Sequence, residues 1–341
     1  MNGKHSIWVV VGLIVGFALI MGAYSPSDAA AAEKKMRLTI SGGTIGGSSN
    51  LVANAIAGVA KNYLDINSTV ITYPTVAQVD AVLDGIADIA TGLPDVAQDA
   101  YEGTGPYKKR GPSPHLRAWL FRYATVMQLF VTKESKLKNF RDMAGKRIST
   151  GKKGFSADHN FHRVCDVLGL SYDKDFKIMY FGHKAAGAAI IAGKIDAYVV
   201  VTPMPQPTFA EVDLTHPLTL LPFSEQDAKT VGKALPYWDV VTVPPNWYHM
   251  SEPTLTLQLP AFNVCTTELP EDVAYKLVKN YIEHPKYLGY FHKMCQTVVE
   301  NGDVKRWVET LGGIPYHAGC VRYFKEAGWK VRPDRIPPEA K

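Results

Sequence analysis

The sequence predicts an α/β protein of two similar lobes, each built on a sheet with a parallel core and flanked by helices. Three observations carry this. From residue 36 onward, short β-rich runs alternate with helical patterns, the sequence form of a parallel sheet. The first cycle recurs 108 positions later without gaps: Ser41, Gly43, Gly46 and Ser48 fall on Ser149, Gly151, Gly154 and Ser156, and Gly85 and Asp88 fall on Gly193 and Asp196. The matches gather at a Gly-rich strand-to-helix loop and at a helix stop before a strand, where backbone geometry limits residue choice.

The elements follow in order. Residues 1–32 read as a signal peptide: Lys4, a nearly unbroken apolar run from Ile7 to Ala23, then small residues that place cleavage after Ala30 to Ala32. An uncleaved anchor is the alternative. The first cysteine is Cys165, which argues against a lipoprotein anchor. Beyond residue 35 no run approaches about 18 apolar residues, so the mature chain is expected to be soluble and exported to the periplasm. The first cycle then predicts strand Arg37 to Ser41, helix Asn50 to Leu64, strand Thr69 to Tyr73, helix Val76 to Asp84 and strand Ala87 to Thr91. Gly103 to Pro114, with its basic run Lys108 to Arg110, reads as an exposed excursion. The second cycle predicts strands Val126 to Thr132 and Arg147 to Thr150, helix Ser156 to Leu170, strand Lys177 to Phe181, helix Lys184 to Ala192 and strand Asp196 to Thr202. After residue 202 the regularity fades into crossing segments and loops, including Leu235 to Pro245. Helical signal returns at Pro270 to Tyr281 and at Val304 to Leu311.

Composition narrows the functional classes. The chain has 341 residues, 46% of them hydrophobic, and a net charge of +5 carried by scattered Lys and Arg. That suits a globular protein with a small anionic ligand, or no charged partner in particular, better than a nucleic-acid track. Four cysteines allow three disulfide connectivities in an oxidising compartment. Cys165 falls on the apolar side of a predicted helix and is expected to pack as a small hydrophobe. Cys295 with Cys320 is the first pairing to test.

A strand that feeds a Gly-rich loop and a helix aims backbone N–H groups and the positive end of a helix dipole at one point, which favours an anion. The two loops SGGTIGGSSN (41–50) and STGKKGFSAD (149–158) both have this form, and the second adds Lys152 and Lys153. A nucleotide loop is not supported, because G-x-x-x-x-G-K-[ST] does not occur and residues 42–47 lack G-x-G-x-x-G. Nucleophile-elbow chemistry fails too, since GFSAD (154–158) is short of G-x-S-x-G at its last Gly. His159, His162 and Cys165 are poorly spaced around a helix for a metal, so exposed or capping histidines are the better account. His183 begins a helix, where a surface role is the simpler one. Tyr123, Phe155, Tyr180, Tyr198 and Trp238 lie near the predicted cleft, and Tyr123 is the best contact among them.

Taken with their order and spacing, several segments resemble one family. They are GGTIGG (42–47), DGIAD (84–88), DVAQDAYEG (95–103), LRA (116–118) with Tyr123, LKNFRDMAGKRI (137–148), GKKGFSAD (151–158), GKIDAYVV (193–200), LPYW (235–238), and IPYHAG (314–319) with RYF (322–324). The chain resembles the TAXI family of periplasmic solute-binding proteins, the receptor subunits of tripartite ATP-independent periplasmic (TRAP) transporters, over nearly all of its mature length. The resemblance implies a bilobed periplasmic-binding-protein fold of type II. It also implies a monomeric, non-enzymatic receptor without cofactor or metal, which closes on a small organic anion such as an acidic amino acid, dicarboxylate or oxo acid and delivers it to a membrane permease. The lobes implied are 33–125 with 240–341, and 126–239. The contacts implied are Thr44, Gly46, Ser48 and Ser49 in loop one, Tyr123, and Gly154, Phe155, Ser156 and Ala157 in loop two, with Pro203 and Trp238 on the far wall. Ser48-Ser49-Asn50, and Lys152-Lys153 with Phe155, depart from the family pattern, so the ligand is not copied from it. A sensor of the same fold and an exported α/β hydrolase remain as alternatives.

Overall fold

In the computed structural model, which describes residues 36–43, 45, 47–73, 77–153 and 156–341, the predicted repeat becomes a repeat of hydrogen bonds. The segment 1–32, expected to be a signal peptide, and loop residues Thr44, Gly46, Gly154 and Phe155 lie outside the described residues. The first copy runs through β1 (Arg37–Gly42), α1 (Ser48–Leu64), β2 (Asn67–Thr72), α2 (Gln78–Leu83) and β3 (Ile89–Gly92), followed by α3 (Pro94–Glu102). After β4 (Leu116–Thr132), the second copy runs through β5 (Arg147–Ser149), α4 (Ser156–Val167), α5 (Tyr172–Asp175), β6 (Lys177–Met179), α6 (His183–Ile191) and β7 (Ala197–Thr202). β1 and β3 pair in parallel with Ile40 opposite Ile89 and Ser41 opposite Ala90. β5 and β7 pair in parallel with Ile148 opposite Ala197 and Ser149 opposite Tyr198, each residue 108 positions on. The clip that joins the strands also repeats. Asp88 Oδ2 accepts from the Thr39 N–H at 2.7 Å, and Asp196 Oδ2 accepts from the Arg147 N–H at 2.8 Å. Both helix-stop glycines are left-handed, Gly85 at φ 67° and Gly193 at φ 62°, which is why neither copy carries a side chain there.

The chain continues through α7 (Pro207–Asp213), β8 (Leu218–Leu220), α8 (Glu225–Ala234), β9 (Asp239–Val243), β10 (Thr254–Thr266), α9 (Glu271–Glu283), α10 (Pro285–Gly289), α11 (Lys293–Glu300), α12 (Asp303–Thr310) and α13 (Ala318–Glu326). All ten strands join one sheet in the order β2-β1-β3-β10-β4-β7-β5-β6, with β8 on β4 and β9 on β10. The sequence reading is corrected in three places. The two sheets expected for the lobes are one mixed sheet, joined through β4 and β10. β4 starts ten residues before the expected Val126, at Leu116, and β9 and β10 occupy a region expected to be crossing segments and loops. These strands join the copies: β4 pairs with antiparallel β10 from Leu116 to Val126 and with antiparallel β7 from Val126 to Phe130, while β10 pairs with β3 through Phe262 to Cys265.

Burial follows the pattern. Phe161, Val164 and Cys165 on α4 pack with Phe140, Phe176, Phe223 and Trp238 on one face of the second copy. On the opposite face Phe209 stacks on Phe130 and Tyr198 at 4.4 and 4.6 Å between centroids. Trp119 meets Tyr281 edge-on beside the first copy. Each such aromatic contributes up to about 3 kcal/mol through area removed from water. All four cysteines are free and buried, so the Cys295 to Cys320 pairing is not formed.

Candidate functional site

The loops after β1 and β5 leave the carboxyl ends of parallel strands, where α/β sheets place their ligands. Loop one is braced from beneath. Ser41 Oγ donates to Gln78 Oε1 at 2.8 Å, and Gln78 Nε2 donates to the carbonyls of Gly42 and Tyr73, both at 2.7 Å. Gly42 has to be glycine, because a Cβ there would lie 2.9 Å from Asn50 Cα. Ser48 and Ser49 form the first turn of α1 behind the N-cap Gly47.

Above that turn sits a residue the sequence reading missed. Arg122 is 1% exposed and Tyr123 is 5% exposed. The pairing of β4 with β10 shifts register here, passing from Ala261 opposite Tyr123 to Phe262 opposite Phe121 and leaving Arg122 without a partner position. In a regular strand neighbouring side chains point to opposite faces, and a bulge re-aims one of them. Arg122 and Tyr123 therefore meet on one side: Arg122 Nη1 donates to Tyr123 OH at 3.2 Å and to Ser49 Oγ at 2.9 Å, while Nη2 donates to the Gly92 carbonyl at 3.2 Å. His292 stacks on Tyr123 with ring centroids 5.5 Å apart. Burial, and then the Arg122 charge, hold the His292 imidazole below its ordinary range and hence neutral at neutral pH.

At the second loop, Gly151, Lys152, Ser156, Ala157, His183 and Tyr198 border a cavity of about 350 Å³. Two helices begin on it, α4 at Ser156 and α6 at His183 with N-cap Gly182. Their unpaired first-turn N–H groups and dipoles give the cavity positive potential, and Lys152 adds a full charge. Gly151 is left-handed at φ 84°. His183 Nδ1 lies 2.7 Å from Tyr198 OH, and burial lowers the His183 pKa.

Ser156 also borders a larger cleft, of about 820 Å³, between α3 and α4. This one is lined by charges of both signs, the carboxylates Asp80, Asp95, Asp99 and Asp158 with the cations Lys109 and Arg110. Behind two of these carboxylates, Arg163 Nη2 donates to Asp99 Oδ1 at 2.6 Å and Arg163 Nη1 to Tyr237 OH at 2.9 Å, while His159 Nε2 stands 3.1 Å from Asp95 Oδ2. Asp158 accepts from Thr150 Oγ1 at 2.7 Å and from Tyr172 OH. The larger cleft and the smaller cavity thus share one rim residue, Ser156.

Of the residues named from sequence, Ser49 and Tyr123 come together at loop one, their oxygens 3.5 Å apart, with Ser48 one residue before Ser49 in the same helical turn. Ser156 and Ala157 come together at the second cavity. Pro203 is half-buried directly after β7. Trp238 is 2% exposed within the hydrophobic core of the second copy. Arg122, Asp95, Asp99 and Arg163 were not singled out by sequence. A charge inside the apolar run LRAWLFRYATV (116–126) was the available signal for the first of them. Among the described residues no cluster of three or more His, Cys, Asp or Glu could hold a metal ion.

Comparison with solved structures gives the fold. The periplasmic sulfonate-binding protein SsuA from Methylobacillus flagellatus KT is similar at a TM-score of 0.50 over 89% of this chain and 92% of that one, with 13% identity. The aliphatic sulphonate binding protein SsuA from Escherichia coli is similar at a TM-score of 0.45, over 88% of this chain and 90% of that one, with 14% identity. Identity this low bears on architecture alone, and the architecture is the mixed-sheet α/β fold of type II periplasmic binding proteins. The sequence matches the NMT1-like family over residues 40–328, from β1 to the end of α13, and the chain therefore belongs to the NMT1-like family.

Proposed function

We propose that the protein is an extracytoplasmic solute receptor that holds a small organic anion and presents it to a membrane permease. The observation that carries this reading is the meeting of two helix N-termini with Lys152 on one cavity at the end of a parallel strand. A volume of about 350 Å³ suits a ligand of small-metabolite size. The repeat supplies a second jaw at the equivalent end of β1. In this reading residues 33–125 with 240–341 form one lobe and 126–239 the other, and the strands β4 and β10 are the crossing about which they close. Contacts made to both lobes only when shut would stabilise the closed state, which is how a ligand drives such a motion. Among the described residues no helix is long and apolar enough to cross a membrane. Transport would therefore fall to a partner. The ordered motifs from GGTIGG (42–47) to RYF (322–324) support a TRAP-type permease of the TAXI class as that partner.

Ser156 tests the placement, because it borders both cavities. A bulky Ser156→Trp is expected to abolish the rise in melting temperature that organic acids give the wild type, with the melting temperature of the unliganded protein little changed. Wild-type affinity in that variant would remove the second loop from the site, and stabilisation confined to neutral sugars would overturn the anion reading.

A further inference from the structure

A buried guanidinium is costly unless a carboxylate or several good acceptors compensate it. Arg122 is 1% exposed, its Nε has no hydrogen-bond partner, and the acceptors of its other nitrogens are two hydroxyls and one carbonyl. The titratable groups that feel it on α9, on α11 and just before α11 are uncharged at neutral pH, while α3, which also packs on β4, carries carboxylates already paired elsewhere, Asp95 with His159 and Asp99 with Arg163. Burial pushes the Tyr281 phenol on α9 far up and the Cys295 thiol on α11 up to about 11, and His292 before α11 is held neutral. The guanidinium carbon also lies 4.8 Å from the centroid of the Tyr123 ring. Among the described residues, then, one side of the site holds a desolvated cation with no anion bound to it.

The hydrogen bonds show where that charge is felt. A hydroxyl has one proton to give, and both Ser49 Oγ and Tyr123 OH already accept from Arg122 Nη1. The two oxygens are also 3.5 Å apart, so one of the two protons can be spent on the other hydroxyl; the remaining one points away from the guanidinium and is made a stronger donor by it. Ser49 is half-buried in the first turn of α1, so the pair stands beside the N–H groups that open the helix.

We propose that Arg122 is the positioning residue that makes the loop-one jaw read a negative charge: it orients and polarises the linked hydroxyls of Ser49 and Tyr123 so that the pair donates to an acidic group of the ligand. This rests on the receptor reading above and adds to it a second acid-reading point, separate from Lys152. The β4 bulge is the device that allows it, since without the register shift Arg122 and Tyr123 would face opposite sides of the sheet.

The test measures affinity and melting shift for carboxylates from acetate to adipate, 2-oxo acids and alkanesulfonates, each beside its primary amide. For an acid bound by the wild type, Arg122→Met is expected to weaken binding by about 10-fold or more, the scale of a charge-assisted hydrogen bond. Arg122→Lys should recover part of that loss, and the amide should bind both proteins alike. A purely structural role, tying β4 to Gly92, would weaken acid and amide together. Ser49→Ala with Tyr123→Phe leaves Arg122 in place and should reproduce the loss, so the proposal stays open to refutation if Arg122→Met does not fold. Acids bound equally by wild type and by either variant would overturn the role of Arg122 while leaving the receptor intact. A wild type that binds none of the acids would overturn both.

Discussion

Asp95 is fully buried, and the group beside it is a histidine that can change charge near neutral pH. The Asp95 carboxylate raises the His159 pKa above the ordinary 6.5. A group whose folded pKa is raised contributes stability that is fully present below the unfolded value and is lost as pH rises through the folded one. The difference in unfolding free energy between wild type and His159→Gln is therefore expected to be largest near about pH 5.5 and to shrink toward about pH 8.5. Urea melts at the two values check this, and a difference independent of pH would mean that the pair carries no charge in the folded protein. His183, His292 and His317 are shifted the other way by burial, so each opposes folding as pH falls below 6.5. Comparing the variant with wild type at each pH cancels that shared background.

At the scale of elements, α13 packs against α9 with backbone close to backbone. A Cβ on Gly319 would lie 2.2 Å from the Glu271 carbonyl oxygen and 2.7 Å from the Tyr275 nitrogen, both of them backbone atoms that cannot rotate away. Gly319→Ala should thus force the helices apart and cost about 2 kcal/mol or more, read as a lower urea midpoint at unchanged slope. A neutral effect would show that the two helices are free to slide. The elements that sequence reasoning found and those it missed differ in a physical way. The two copies were legible because strand, stop glycine and amphipathic helix each leave a local signature, and Gly85 and Gly193 mark the same left-handed turn twice. β10 was missed because Pro260 interrupts its alternation, although its neighbours pair on both sides. The first half of β4 was missed because Arg117 and Arg122 read as polar positions. One is satisfied by Glu339, far along the chain, and the other sits in a bulge that only the partner strand defines. The site was legible to the same extent. Ser49 and Ser156 announce themselves in Gly-Ser loops, whereas the Arg163 to Asp99 contact depends on how α3 meets α4 and leaves no local trace.

At the scale of the molecule, residues 38–341 form one compact unit held by a continuous sheet, yet the cysteines are unevenly shared within it. Cys165 sits in the core of the second copy, while Cys265, Cys295 and Cys320 lie on β10, α11 and α13. Burial raises the pKa of every one of these thiols, which suppresses the thiolate that would attack oxidants and disulfides. The chain therefore carries four silent thiols that respond to reagent only when the surrounding structure opens. Pulse alkylation in mild denaturant, read by peptide mass, would time the exposure of Cys165 against that of the other three. One shared rate means that the long crossing strands make the two copies unfold together, and an earlier Cys165 means that the second copy melts alone. The cysteines, unpaired, serve as four built-in clocks for the cooperativity of a sheet that two repeats share.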